Sequence, residues 1–513
     1  TLLAADRVAA STWARRTGDG WRIDVMPLRI EQGQAIHTAE RIQLQWTPES
    51  GRLEAAARSV ALPLANRLAA VASAFTDEMP AALTDVTLDG RLESLTLRAE
   101  RADEQWSIAA DGRVAGMAAR GLPGLDSVTG LAGDFALRPE GLVLAMDSPE
   151  LAVDFGDLFP APLEGEVQGR LRAARDPAGW WLRSEGLTLA NADIAGQVGL
   201  TLDLRGDGAP YLDLEGQYRD ARAVRVPAYL PVGIMDSRVV RWLEKAFVRG
   251  GEVPAGSVLF RGPVDRFPFR DGGGRFEVRA GFRDLQLDYR PDWPGTEGLA
   301  GRMAFVNQGM AIDLDRGETR GVPARDGQAL IRDFRDPVLE MDLAVAGKAG
   351  RMLDFLRETP LVDAGSRLEA FELSGDASLD LALRLPLVKR LRDRRSVRGE
   401  LNLAGSRLDS EEWDFGLQDL RGRLAFDELD FRARGIRGAF AGQPVSLEVT
   451  TQGAAARRET HVSMTGELSA ASVLDGRAPA LKPYIRGRSG WEVDVHIPHR
   501  RTPDRSVAVF LRS

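Results

Sequence analysis

Alternation of apolar and polar residues along much of the chain is the feature that most constrains its fold. Between residues 198 and 205, valine or leucine occupies every second position, and glycine, threonine, aspartate and arginine occupy the positions between them. The same pattern occurs at 339–345 and 379–387. Successive side chains of a β-strand point to opposite faces, so a period of two predicts half-buried antiparallel strands. The sequence therefore predicts a mainly β fold, a long curled antiparallel sheet with one apolar and one solvated face.

Three short stretches have the apolar spacing of an amphipathic helix instead, near 62–75, 236–249 and 349–358. The second is the clearest, because Asp236 or Ser237 can cap its N-terminus and Gly250 stands where a left-handed residue ends a helix. We expect these helices to cap the sheet or to be inserted between its strands. The chain is accordingly divided into 1–228, a middle segment 229–310 rich in aromatic residues, proline and glycine, and 311–513.

A short motif of the form Leu-x-Gly-x-apolar-x-apolar occurs three times. Its copies lie at 130–137, 298–305 and 419–426, and each is followed by a turn and a second alternating stretch. The spacing between the copies is irregular, so the motif does not mark a solenoid coil of fixed period. It predicts instead that a larger unit of several strands recurs along the chain.

Composition and charge exclude several classes of protein. The net charge is −8, and the arginines are interspersed with carboxylates, which argues against a nucleic-acid-binding surface. The chain has no cysteine, so it can form neither disulfides nor thiolate metal sites. It begins at Thr1 and stops within a strand-like stretch, so both ends resemble cut ends of a longer protein.

No residues are arranged in the sequence as a known active site, and we predict that the protein is not an enzyme. Phosphate loops, dinucleotide fingerprints and nucleophile elbows are absent from the sequence. His496 and His499 are three residues apart in a strand-like stretch and are interpreted as ordinary histidines, not as metal ligands. Carboxylate pairs such as Asp313 and Asp315 fit solvated strand positions. The sequence thus predicts no catalytic, cofactor-binding or metal-binding residues and no cofactor.

Two kinds of molecule fit a long sheet with one apolar face. In the first, the face packs as a sealed core, as in a barrel, sandwich or β-helix, and the protein is a scaffold or an adhesin. In the second, the sheet curls without closing and its apolar face lines a trough for lipid chains. A two-chain lipid with about 30 methylenes would lose roughly 20 kcal/mol or more on exposure to water, which such a trough largely avoids. Both kinds predict the same alternation.

The middle segment resembles the YhdP family of AsmA-like proteins of Gram-negative bacteria. The residues that carry this resemblance are Tyr229-Leu-Pro231, Trp242-Leu243, Ala246-Phe247, Gly250, Gly256, Gly262, Phe267-Pro-Phe269, Gly274, Phe276, Leu287, Tyr289, Trp293-Pro294, Phe305, Asn307 and Gly309. The stretches 353–361 and 83–97 are also similar to that family. The resemblance covers most of the chain, and 229–310 is interpreted as the signature segment of the family.

The resemblance implies a periplasmic protein whose open, elongated β-groove carries phospholipid acyl chains between the inner and outer membranes. It also implies an inner-membrane anchor in a segment outside this sequence, with outer-membrane or periplasmic proteins as further partners. The alternative is a structural or adaptor protein of the cell envelope whose β core is filled by side chains.

The residues predicted to line the groove are the alternating apolar sets, and for each set a sealed core is the alternative interpretation. These residues are Val198, Leu200, Leu202, Leu204, Leu212, Leu214, Leu339, Met341, Leu343, Leu379, Leu381 and Leu383.

Overall fold

The computed structural model describes residues 6–64, 86–102, 105–122, 124–206, 208–246, 249–288, 293–359, 367–428, 430–453, 458–474, 486–499 and 507–512. In these residues the chain forms 27 β-strands that pair as an antiparallel sheet, together with a few short helices. The predicted mainly β fold is therefore confirmed. The chain divides into two compact units, Thr1–Leu243 with Val253–Val278, and Glu244–Glu252 with Arg279–Ser513. The three-part division drawn from the sequence stays a prediction.

The first unit contains a run of strands in which each strand pairs with the next one along the chain. These strands are β1 (Arg7–Thr17), β2 (Gly20–Gln32), β3 (Ala35–Thr47), β4 (Arg52–Ala61), β5 (Thr87–Ala102), β6 (Gln105–Arg120), β7 (Ser127–Arg138), β8 (Gly141–Asp154), β9 (Leu163–Asp176), β10 (Gly179–Ala190), β11 (Ala195–Arg205) and β12 (Tyr211–Arg222). Within the described residues no pairing joins β1 to β12, so this run of strands does not close on itself. The strands β13 (Glu252–Pro263) and β14 (Arg275–Leu287) follow along the chain.

Connections in the first unit differ between the two ends of its strands. Short hairpins join β1 to β2, β3 to β4, β5 to β6, β7 to β8 and β9 to β10 at one end, which we call the hairpin end. Helical turns lie in the connections at the opposite end, which we call the helix end. They are Leu62–Leu64 after β4, Gly156–Leu158 after β8, and Ala223–Tyr229, Val232–Ile234 and α1 (Ser237–Ala246) after β12. One further helical turn, Val264–Arg266 after β13, lies at the hairpin end, where the Val264 N–H donates to the Pro210 carbonyl oxygen.

Two of the three predicted helices lie in these connections. The helix predicted near 62–75 begins at Leu62, and its residues beyond Leu64 lie outside the described part of the chain. The helix predicted near 236–249 corresponds to α1, whose first turn is capped by the Asp236 carboxylate: Oδ1 accepts a hydrogen bond from the Arg238 backbone N–H at 2.8 Å. Gly250 has a φ of 117°, in the left-handed region expected just beyond a helix.

The second unit contains a further run of antiparallel strands. They are β15 (Thr296–Val306), β16 (Gly309–Thr319), β17 (Val322–Ile331), β18 (Val338–Lys348), β19 (Glu372–Ser374), β20 (Asp376–Pro386), β21 (Ser396–Ser410), β22 (Phe415–Asp427), β23 (Asp430–Phe440), β24 (Gln443–Gln452), β25 (Glu459–Ser469), β26 (Arg488–Pro498) and β27 (Ala508–Arg512). The short strand β19 pairs with β21, while β18 pairs directly with β20. The helix predicted near 349–358 corresponds to α2 (Ala349–Glu358), and α3 (Ala470–Leu474) follows β25. No helix in the described residues is long and apolar enough to span a membrane.

The motif that occurs three times in the sequence forms a β-bulge. The residue just before the leucine of the motif has a positive φ in every copy, 76° at Gly130, 60° at Gly298 and 48° at Asp419. The pairing of the motif strand shifts beside each of these residues. A bulge inserts one unpaired residue, bends the strand and increases its twist. The motif thus marks places where the sheet bends.

The glycine of the Leu-x-Gly motif lets the bulged strand approach its neighbour closely. A Cβ atom at Gly133 would lie 2.2 Å from the carbonyl oxygen of Ala145, and one at Gly301 would lie 2.2 Å from that of Asp313. Contacts this short are not tolerated by a side chain. In these two copies the glycine of the motif therefore follows from the geometry of strand pairing.

Buried apolar clusters lie toward the helix end of the first unit. One cluster contains Ile30, Ala39, Val60, Leu62, Leu64, Leu92 and Val114, and another contains Leu131, Met146, Leu151 and Leu187. In the second unit, one cluster surrounds α2 and another surrounds Leu468, just before α3. The helices thus lie beside buried parts of the sheet in each unit, as expected for capping elements.

Candidate functional site

A continuous apolar row crosses the sheet of the first unit from β1 to β12. Residues directly opposite each other in antiparallel strands have side chains on the same face, so the strand registers trace such rows. The members of this row are Ala14, Ile23, Leu44, Ala55, Leu97, Ala110, Leu137, Leu142, Ala173, Leu182, Leu202 and Leu212. No polar residue interrupts it. We call the face that carries this row the apolar face of the first unit.

Exposure on the apolar face of the first unit changes along the strands. Leu142 and Leu204, toward the hairpin end, are 36% and 45% exposed. Val60 and Leu92, toward the helix end, are 3% and 4% exposed. A core sealed along its whole length would bury all four of these side chains. The face is therefore packed at its helix end and accessible to an apolar ligand toward its hairpin end.

The opposite face of the first unit carries charged side chains that pair with one another. Arg113 Nη1 lies 3.0 Å from Asp134 Oδ2, and Arg138 Nη2 lies 2.8 Å from Asp111 Oδ1. Hydrogen bonds from Arg205 lower the pKa of Asp203 to about 2. Exposed ion pairs of this kind add little to stability, but they keep this face solvated. The alternation of the sequence thus separates a solvated face from an apolar one, as predicted.

The six lining residues predicted in the first unit lie together on this apolar face. Val198, Leu200, Leu202 and Leu204 lie on β11, where Leu200 is directly opposite Leu214 and Leu202 is directly opposite Leu212 on β12. Leu204 is exposed, and the other five are half-buried. Their contact with lipid stays a prediction.

The six lining residues predicted in the second unit also share one face. Met341 on β18 is directly opposite Leu383 on β20, and Leu343 is directly opposite Leu381. Leu379 and Leu383 are buried, at 9% and 4% exposure, whereas Leu339, Met341, Leu343 and Leu381 are half-buried. The structure therefore brings the predicted residues of each unit together on one face. In the second unit, Leu379 and Leu383 lie in the packed part of the sheet.

Sequence reasoning missed part of both apolar faces. In the first unit the missed members include Ala55, Ala110 and Ala173, because alternating alanines give a weak hydrophobic signal. In the second unit a missed row crosses β24 to β27 and consists of Val449, Val462, Val495 and Val509. The alternation of valines in β24 to β26 was a usable signal for that row.

Glu459, His461 and His496 are three half-buried side chains whose ligand-type atoms lie within 4.8 Å of one another. The two histidine rings, directly opposite on β25 and β26, stack with centroids 3.9 Å apart. His461 Nε2 lies 2.7 Å from Glu459 Oε1. In-plane lone pairs of stacked imidazoles run parallel and do not converge on one ion, and the carboxylate already takes part in a hydrogen bond. A hydrogen bond within β25 and a stacked cross-strand histidine pair account for this cluster.

His499, the other histidine of this region, has a different partner. Its Nε2 lies 2.8 Å from Thr460 Oγ1, and burial, with a further contribution from the charge of Arg458, lowers its pKa. A neutral imidazole suits a hydroxyl partner, so His499 is explained as a structural residue. The ring next to His496 is therefore that of His461 and not that of His499. The predicted lack of a metal site stays a prediction.

Comparisons with known proteins bear on what this sheet belongs to. No solved structure matches the chain. A curated relative, the intermembrane phospholipid transporter YhdP of Escherichia coli (strain K12), is 23% identical over 510 residues, which cover 94% of this chain and 39% of that protein. The chain thus spans about two fifths of the length of that relative. The family described as YhdP protein matches residues 5–513, and the chain belongs to this family.

Proposed function

We propose that this chain binds phospholipid acyl chains on the apolar faces of its sheet, as part of a protein that transfers lipids between two membranes. The observation that carries this proposal is the apolar row from β1 to β12, which no polar residue interrupts and in which Leu137 and Leu142 are exposed while Ala110 is buried. Each methylene that it keeps from water contributes about 0.8 kcal/mol, so a continuous row lets a lipid move along the sheet without a large desolvation barrier. Such movement requires no catalytic residue, and we propose that the protein is not an enzyme.

The name of the relative supports the cargo and the cellular location. That protein is an intermembrane phospholipid transporter of Escherichia coli. We therefore propose phospholipid as the cargo, the periplasm as the location, and an inner-membrane anchor in a part of the protein outside this sequence. Outer-membrane or periplasmic proteins would then be partners at the ends of the path.

A structural or adaptor role in the envelope is the second candidate, and one observation favours it. Leu379 and Leu383 are buried, so the apolar face of the second unit is packed by its own side chains at these positions. A face that is filled in this way along its whole length would hold no lipid.

Lipid uptake by the purified, delipidated chain distinguishes these functions. We expect phospholipid to bind to the chain and Leu202→Arg to lower the amount bound about tenfold, which corresponds to ~1.4 kcal/mol, because the change places a charge in the apolar row. Bound lipid is measured by mass spectrometry after removal of free lipid.

The matched control is Thr201→Arg, on the solvated face between Arg183 and Asp213. This variant should bind as much lipid as the unmodified chain. A folded, delipidated chain that takes up no phospholipid, or equal losses in both variants, would contradict the proposed function.

A further inference from the structure

Three arginine–tryptophan pairs lie at the hairpin end of the first unit. Arg16 is directly opposite Trp21 on β1 and β2, Arg101 is opposite Trp106 on β5 and β6, and Arg175 is opposite Trp180 on β9 and β10. In the sequence each pair has the form Arg-x-x-x-x-Trp, with the hairpin turn between the two residues. Side chains directly opposite each other have Cβ atoms about 4.5–5.5 Å apart, so each pair can act together.

All three pairs lie on the apolar face. Arg16, Arg101 and Arg175 each stand two residues from an alanine of that face: Ala14, Ala99 and Ala173 respectively. Ala14 and Ala173 belong to the apolar row itself, and Ala99 lies two residues beyond its member Leu97. A period of two along a strand puts such residues on the same side of the sheet. The apolar face thus ends, at its hairpin end, in guanidinium groups and indole rings.

The charges of these arginines are available to a ligand. All three side chains are exposed, and no carboxylate within the described part of the chain forms an ion pair with them. Arginines of the solvated face are different, because Arg113, Arg138 and Arg205 pair with aspartates at 2.5–3.1 Å. A guanidinium beside an apolar surface, with no anionic partner among the described residues, is complementary to an anionic group whose remainder is apolar.

The tryptophans suit the boundary between acyl chains and a head group. Trp21 is 50% exposed, and Trp106 and Trp180 are half-buried. The ring of Trp106 also lies 6.2 Å from that of Trp46, the residue directly opposite Trp21, so aromatic rings extend along this end of the sheet. Indole combines an apolar body with one N–H donor, which is why tryptophan collects at membrane interfaces.

We propose that the three arginine–tryptophan pairs bind the phosphate of phospholipid head groups while the acyl chains lie on the apolar face toward the helix end. This inference rests on the proposed function and adds to it the orientation of the lipid and the group that is recognised. Successive pairs are four strands apart, about 19 Å at ~4.8 Å per strand. They would act as successive positions along which a phosphate passes, each weak enough to release it.

A comparison of two lipids with the same acyl chains tests the inference. The delipidated chain is equilibrated with phosphatidylglycerol or with diacylglycerol, which lacks the phosphate, and bound lipid is measured by mass spectrometry. We expect the chain to bind more phosphatidylglycerol than diacylglycerol. The variant R16Q/R101Q/R175Q should lose this preference and keep its uptake of diacylglycerol, which also shows that it is folded.

The control variant R15Q/R98Q/R170Q removes three arginines from the same strands, β1, β5 and β9, on the opposite face of the sheet. It changes the net charge equally and should keep the preference for phosphatidylglycerol. An unmodified chain without that preference, a triple variant that retains it, or an equal loss in the control would overturn the inference and leave the proposed function standing. Uptake of neither lipid would overturn both.

Discussion

At the scale of single residues, backbone geometry explains a pattern that the sequence shows but does not interpret. The Leu-x-Gly motif is visible in three places, yet nothing in the sequence alone says that the residue before its leucine adopts a positive φ. Asp419 occupies this position in one copy, and aspartate is among the few side chains that tolerate the left-handed region. The bulge depends on pairing with a neighbouring strand, and this tertiary contact could not be predicted from the motif.

A pair of glycine substitutions tests the importance of the bulge. A Cβ atom at Gly130 would lie 1.9 Å from the carbonyl oxygen of Glu150, whereas one at Gly116, which also has a positive φ, would meet nothing within 4 Å. We expect Gly116→Ala to lower the free energy of unfolding of the first unit by about 1 kcal/mol, from backbone strain alone. Gly130→Ala should cost roughly 3 kcal/mol or more, because the strand must also move. Urea denaturation measures both values, and equal losses would contradict the bulge geometry.

At the scale of elements, the sequence predicts the strands and helices better than it predicts their arrangement. The helix at 349–358 is evident from its apolar spacing. For the helix predicted near 236–249, Gly250 marks the C-terminal end. Their place at one end of the strands is a property of the chain order, since every second connection returns to the same end of an antiparallel sheet. That most helical turns of the first unit lie at one end, with Val264–Arg266 after β13 at the other, could not be read from periodicity, which describes one element at a time.

Helix α2 offers a test of the packing around the buried cluster that contains it in the second unit. Met352 is 6% exposed in the cluster with Val345, Ala349 and Leu379, whereas the neighbouring Arg351 is exposed. We expect Met352→Ala to lower the free energy of unfolding by about 2–5 kcal/mol and to speed hydrogen exchange in α2. Arg351→Ala should stay within about 0.5 kcal/mol of the unmodified chain. Similar exchange in both variants would show that α2 does not depend on this cluster.

At the scale of the whole molecule, the apolar rows connect the sequence to the proposed function. Alternation predicts that one face is apolar, but not whether that face is filled, because a sealed core has the same pattern. The rows and their exposure supply this information: Leu142 and Leu204 are accessible, whereas Leu383 is buried. The sequence predicts apolar-face residues on β11, β12, β18 and β20, whose contact with lipid stays a prediction, and it misses the alanines of the row, whose place depends on the strands on either side.

Site-specific photocrosslinking tests the central claim, that the apolar faces hold lipid. A photoreactive residue replaces Leu200 or Met341 on the apolar face of each unit, or their neighbours Thr201 and Asp342, which alternation places on the opposite face. After illumination in the presence of phospholipid, mass spectrometry measures the fraction of the chain that carries a covalently attached lipid. We predict lipid adducts from positions 200 and 341 and few or none from 201 and 342. Equal adducts from both faces, or none from 200 and 341 in a folded chain, would contradict the account.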